Sequence, residues 1–166
     1  MTSAVLPKPP ANAFLLQRVQ PALNGLIDGA LSSLAPIFAV ALATHQPRYA
    51  FFAGLATAIG AGISMSFSEG LSDTGDATGR GNPVVRGAIT GMGTFVGGVV
   101  HTLPFLIPTY ITAVVVAALL VGAELVMLAY LRARFFGTGF ARSLATVTLG
   151  GMIIVGVSAL LGSAAS

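Results

Sequence analysis

Charge is what this chain has least of. Only 8% of its 166 residues are Asp, Glu, Lys or Arg, against about 25% in a typical soluble domain. Hydrophobic residues make up 55%, and mean hydropathy is +0.90. So few charges cannot clothe so much apolar mass in water. A soluble globular enzyme, a disordered segment and a nucleic-acid binder are therefore excluded. The pI near 10 rests on 8 Lys+Arg against 5 Asp+Glu. No basic cluster accompanies it, so it reads as a topology signal and not as a phosphate-binding face. Cysteine is absent, which removes disulfides, thiolate metal sites and cysteine nucleophiles. The alternation of a transmembrane β-barrel is also missing; the apolar runs are long and unbroken.

Those runs are what the chain does have. A helix needs roughly 20 apolar residues to cross a ~30 Å hydrocarbon core. Five stretches meet this, near 22–43, 50–70, 87–107, 110–132 and 141–163. The expected fold is an all-α integral membrane protein with five transmembrane helices and no second domain. Residues 1–20 form a leader. Its Ala11–Gln20 portion reads as an interfacial helix or a mobile segment, and Arg18 interrupts any signal-peptide core. Residues 21–166 form the transmembrane domain. Lys8, Arg18, Arg80, Arg86, Arg132, Arg134 and Arg142 fall on one side and Arg48 alone on the other. That bias predicts a cytoplasmic N-terminus and an outside C-terminus. The five arginines from Arg80 to Arg142 are expected to anchor to lipid headgroups.

Small residues punctuate the spans. Gly25 and Gly29, Gly87 and Gly91, and Gly93 and Gly97 each stand four apart. Such spacing lets helix backbones approach closely in lipid, either within one chain or across a dimer. Pro36 predicts a kink in helix 1.

Ionisable groups within spans are costly and face a bundle interior or a wet path. Asp28 lies about six residues into helix 1, roughly 9 Å deep. Met65 reaches a comparable depth on helix 2. Met65, Glu69, Asp73 and Asp76 follow at spacings of four, four and three, so a helix continued through them would carry all four on one ridge. This carboxylate ladder leads to a thioether, with Asp28 opposite. Carboxylates give hard oxygen ligands, and a thioether suits later transition metals better than Mg2+ or Ca2+. Protons and metals compete for the same oxygens, which would couple their movements. The plainer alternative makes Met65 a packing residue and Glu69 a solvated helix-end charge. His101, near the outer end of helix 3, reads as a metal ligand on exit, a proton relay or a histidine bonded to a backbone carbonyl. Glu124, about 12 Å into helix 4 from its inner end, calls for a His, a hydroxyl or a cation as partner.

The stretch Asn24-Gly25-Leu26-Ile27-Asp28-Gly29, with Gly62-Ile63-Ser64-Met65-Ser66-Phe67-Ser68-Glu69, resembles the first two helices of the vacuolar iron transporter family. The likeness is closer to the membrane domain of the bacterial membrane-bound ferritins, which are iron exporters. Leu34-Ala35-Pro36, Ala43-Thr44-His45, Gly79-Arg80-Gly81-Asn82-Pro83 and the run from His101 to Pro108 carry it further. It spans about residues 20–163. The resemblance implies a homodimer with a metal path between protomers. It implies Fe2+, or a related ion such as Mn2+, Co2+ or Zn2+, exported against protons. Asp28, Met65 and Glu69 match positions that handle the ion; His101 and Glu124 match polar positions of the exporter subgroup. Two departures stand out. The Glu-rich insert between helices 2 and 3 is replaced by the short loop Gly70–Pro83. The 20 residues before helix 1 cannot hold a ferritin-like domain, so no ferroxidase activity is expected to carry over; a separate cytoplasmic ferritin-like protein could donate iron.

The expectation is a non-enzymatic, homodimeric exporter of Fe2+ or a similar ion in a prokaryotic inner membrane, without a resident cofactor. Asp73 and Asp76 would attract the ion, Glu69 accept it, and Met65 with Asp28 hold it. Rival readings are a passive divalent-cation channel, a membrane anchor for a ferritin-like protein and a transporter of another solute.

Overall fold

A computed structural model describes residues 12–164 of the chain. It is 85% helical and, among the described residues, has no strand. The helices are α1 (Gln20–Thr44), α2 (Pro47–Gly70), α3 (Pro83–Val100), α4 (Tyr110–Phe136) and α5 (Phe140–Ala164). All five are long and apolar enough to cross a membrane. Their outer faces carry large apolar side chains such as Phe52, Ile63, Leu119, Met152 and Leu160. In water that much exposed apolar surface would be untenable.

Local chemistry sets the ends. Pro47 opens α2 at its first turn, three residues before the expected start, where a missing N–H costs nothing. Asn82 caps α3, its side-chain oxygen accepting from the N–H groups of Val84 and Val85 at 2.9 and 3.2 Å. The helix expected over 87–107 thus begins at 83 and stops at Val100. Pro104 cannot donate to the Val100 carbonyl, and the chain turns into a 3-10 segment, Leu103–Leu106. At the other end of the chain, Leu15–Val19 is π-helical and runs directly into α1. The wide turn precedes Pro21, whose missing N–H disrupts the regular ladder there. Residues 1–11 of the predicted leader lie outside the described residues.

α3 packs against both α1 and α2. A Cβ on Gly29 would overlap the Thr94 carbonyl, and one on Gly91 would overlap the Ser66 hydroxyl. Gly25, Gly93 and Gly97 serve the same α1–α3 contact, and Gly87 the α2–α3 contact. The glycine pairs are therefore used for packing within the chain. Leu34, Ile37, Phe38, Phe105, Ala117 and Leu125 form the core where α1, the 3-10 segment and α4 meet. There Phe105 meets Phe38 edge-on at 6.4 Å.

Candidate functional site

Two polar clusters and one isolated carboxylate stand out in this apolar bundle. The first cluster closes the α2–α3 loop. Arg86, only 1% exposed, directs Nε to Glu69 Oε1 at 2.8 Å and Nη2 to Asp73 Oδ2 at 3.3 Å. The same guanidinium donates to the carbonyls of Glu69, Asp73 and Gly81. Arg80 adds bonds of 2.6 Å to Glu69 Oε1 and 2.9 Å to Asp73 Oδ2. Thr78 donates to Asp73 Oδ1 at 3.0 Å. Gln17 Nε2 donates to the Gly79 carbonyl at 3.0 Å, tying the start of the chain's first helix to this loop. Burial alone would raise the Asp73 carboxyl. The bonds from Thr78, Arg80 and the Gly75 N–H, with the Arg86 charge, outweigh it and hold Asp73 below the usual carboxylate value.

Arg80 and Arg86 thus face carboxylates rather than lipid headgroups, which corrects their reading as anchors. The predicted ladder is corrected too. α2 ends at Gly70, where Arg86 and the Ser72 hydroxyl satisfy the Glu69 carbonyl. Asp73 and Asp76 consequently lie in the loop and not on the α2 ridge. Glu69 is engaged by two arginines, both on Oε1. Asp76 is exposed and has no hydrogen bond or ion pair among the described residues.

The second cluster joins α1, α3 and α4. His101 follows the last turn of α3, and its Nε2 lies 2.9 Å from Glu124 Oε2. Both side chains are buried, at 2% and 7% exposure. The contact is close but poorly aligned, and neither atom has a well-directed hydrogen bond among the described residues. His101 Nδ1 lies 3.3 Å from Ser33 Oγ, which also donates to the Ala30 carbonyl. Glu124 therefore has a histidine beside it, one of the three kinds of partner its sequence context calls for. His101 is held by side chains, not by a backbone carbonyl. Sequence reasoning set these two residues toward opposite ends of their helices and passed over Ser33. The early stop of α3 is what brings His101 to the middle of α4.

Asp28 stands apart from both clusters. It is half-buried on α1 and has no hydrogen-bond or ion-pair partner among the described residues. The α3-facing stripe of α1 runs through Ala22, Gly25, Leu26 and Gly29. Asp28 lies roughly a third of a turn round the helix from it. Met65, also half-buried, sits beside the stripe of α2 (Gly62, Ser66, Gly70) that meets α3. Among the described residues no three acidic or histidine side chains converge on one point. Grooves of about 370 and 380 Å3 along α2 and α3 are lined by apolar side chains and Ser66, without the carboxylates.

No protein-family model, curated protein or solved structure matches this chain. The chemistry of the site therefore rests on its own residues. An unpartnered carboxylate within an apolar helix can hold a proton or a cation. The arginine clasp presents two carboxylates already neutralised. The His101–Glu124 pair can bind a proton or another polar group between its close but misaligned atoms.

Proposed function

We propose that the chain is one protomer of a homodimeric membrane transporter that exports a divalent cation, Fe2+ or Mn2+, in exchange for protons. The observation that carries this reading is Asp28, a carboxylate in an apolar helix with no partner among the described residues. A group that costs about 2.5–3.5 kcal/mol to place in a span is retained where only a proton, a cation or a second protomer can satisfy it. In this account Asp28 holds the ion deep in the membrane, and Met65 contributes a softer thioether ligand from α2. In this reading the site is completed across the dimer. Glu69 and Asp73 line the cytoplasmic mouth, where a cation must compete with Arg80 and Arg86 for them. Exposed Asp76 draws cations to that mouth. Protonation of Asp28 from the outer side releases the ion.

The test is Fe2+ flux into proteoliposomes loaded with a metal-sensing dye. Asp28→Asn keeps the side-chain size and removes the exchangeable charge. Flux falls to the level of protein-free vesicles if the reading is right; wild-type flux in this variant contradicts it.

A further inference from the structure

Asn24, Asp28 and Ser32 stand at intervals of four along α1 and share one ridge of the helix. Asn24 is exposed and Asp28 half-buried. Ser32 Oγ is shielded from solvent and has no hydrogen-bond partner among the described residues. Thr90 Oγ1 on α3 shares this state, while several other hydroxyls in these helices are satisfied locally. Thr44, Thr57, Thr94 and Ser158 each donate to the carbonyl four residues back, the usual way to satisfy a hydroxyl in an apolar helix. Ser32 makes no such bond. One turn further on stands Pro36. Proline has no N–H, so the Ser32 carbonyl loses its regular helical donor. One residue therefore offers an unpartnered hydroxyl and a carbonyl without its regular donor, a single turn beyond an unpartnered carboxylate. Helical side chains tilt toward the N-terminus, which aims the Ser32 hydroxyl at the turn that holds Asp28. Asp28 and Ser32 are not bonded to each other, which leaves their oxygens free for a shared ligand.

We propose that Ser32 is a second ligand-bearing residue of the Asp28 site, giving its hydroxyl and its carbonyl oxygen to the divalent cation, with Pro36 as the positioning residue that frees the carbonyl. This rests on the transport reading above and adds to it. The site gains hard, neutral oxygen donors beside one carboxylate. Such a set favours Mn2+ and Fe2+ over softer ions such as Cd2+. Asn24 offers an amide oxygen on the approach to it.

The experiment measures Mn2+ and Cd2+ uptake by the full chain in proteoliposomes. The chain has no cysteine, so Ser32→Cys introduces its only thiol. That variant is expected to raise Cd2+ uptake relative to Mn2+ by about tenfold or more, because a thiolate selects the softer ion. Pro36→Ala restores the N–H that the carbonyl lacks. It is expected to weaken apparent Mn2+ affinity by about tenfold with a melting temperature unchanged or higher, an outcome a merely structural proline would not give. Ser32→Ala, which keeps the helix intact, repeats the affinity loss if the thiol variant fails to fold. An unchanged Cd2+ to Mn2+ ratio in Ser32→Cys, or wild-type Mn2+ affinity in Ser32→Ala and Pro36→Ala, overturns the assignment. Asp28→Asn in the same assay separates the two claims. Lost flux there with wild-type behaviour at Ser32 and Pro36 sinks only the Ser32 site; retained flux in Asp28→Asn sinks the transport reading with it.

Discussion

Arg86 is the most deeply buried charge in the described residues, and its seven neighbouring oxygens explain how it is tolerated. They come from Glu69, Ser72, Asp73 and Gly81. Removing one partner of a buried pair leaves the others uncompensated, at about 3–5 kcal/mol. Arg86→Gln should therefore lower stability by about 3 kcal/mol, read as a fall in melting temperature in detergent. Arg86→Lys should recover little of it, because a point charge cannot replace the planar fork. A small loss in both variants would show that the clasp is dispensable. Asp73 adds a pH signature. Its carboxyl is held below the usual value near 3.8, so its contribution is complete above that value and disappears as pH falls through its lower folded-state value. The clasp should thus persist through mildly acidic conditions. Asp73→Asn should remove the steep loss of melting temperature at the acid end of a pH series and lower the melting temperature evenly across the neutral range. The charges of this cluster were visible in the sequence, but their pairing was not. Contacts between residues 69 and 86 depend on where α2 stops, and a ridge continued past Gly70 sends Asp73 the wrong way. The nearness of Glu69, Asp73 and Asp76 to Arg80 and Arg86 was the available signal. Ser32 was illegible for a related reason: an unsatisfied hydroxyl is known only when its neighbours are.

At the scale of the element, the number and order of helices were plain, because uninterrupted apolar length is a direct physical requirement of a span. The ends were less so. α3 is displaced by Asn82 and Pro83 at its start and by Pro104 at its finish, short-range effects that a hydropathy window averages away. The glycine pairs were read correctly as close-approach points, and the structure assigns them to contacts inside the chain. Gly29 makes the sharpest case, since the Thr94 carbonyl occupies the space of any side chain there. Gly29→Leu should force α1 away from α3 and destabilise the chain by about 1–3 kcal/mol. Gly122→Leu, at a position with open space, should leave the melting temperature within about 1 °C of wild type by the surface-substitution range. Equal losses at both positions would contradict the packing account.

At the scale of the whole molecule, the proposed orientation and the proposed dimer are the parts that most need testing. A chain without cysteine suits accessibility labelling. Gln46→Cys, in the α1–α2 turn, should react with an impermeant thiol reagent in intact cells. Gly139→Cys, before α5, should react only after the membrane is opened. The reverse pattern would invert the topology and with it the direction of transport. The seven-to-one Lys/Arg bias behind this expectation survives the pairing of Arg80 and Arg86, because acidic partners contribute little to the rule. What the single chain leaves incomplete is Asp28, which has no partner among the described residues.

The central claim is that cation movement is coupled to protons through Asp28. Its most direct test is simultaneous recording of luminal Fe2+ and luminal pH in proteoliposomes with and without an inside-acid gradient. The account predicts that the gradient speeds Fe2+ uptake, that the lumen loses protons as Fe2+ enters, and that Asp28→Asn abolishes both. Fe2+ uptake that is equal with and without the gradient, unaccompanied by proton efflux, would contradict it.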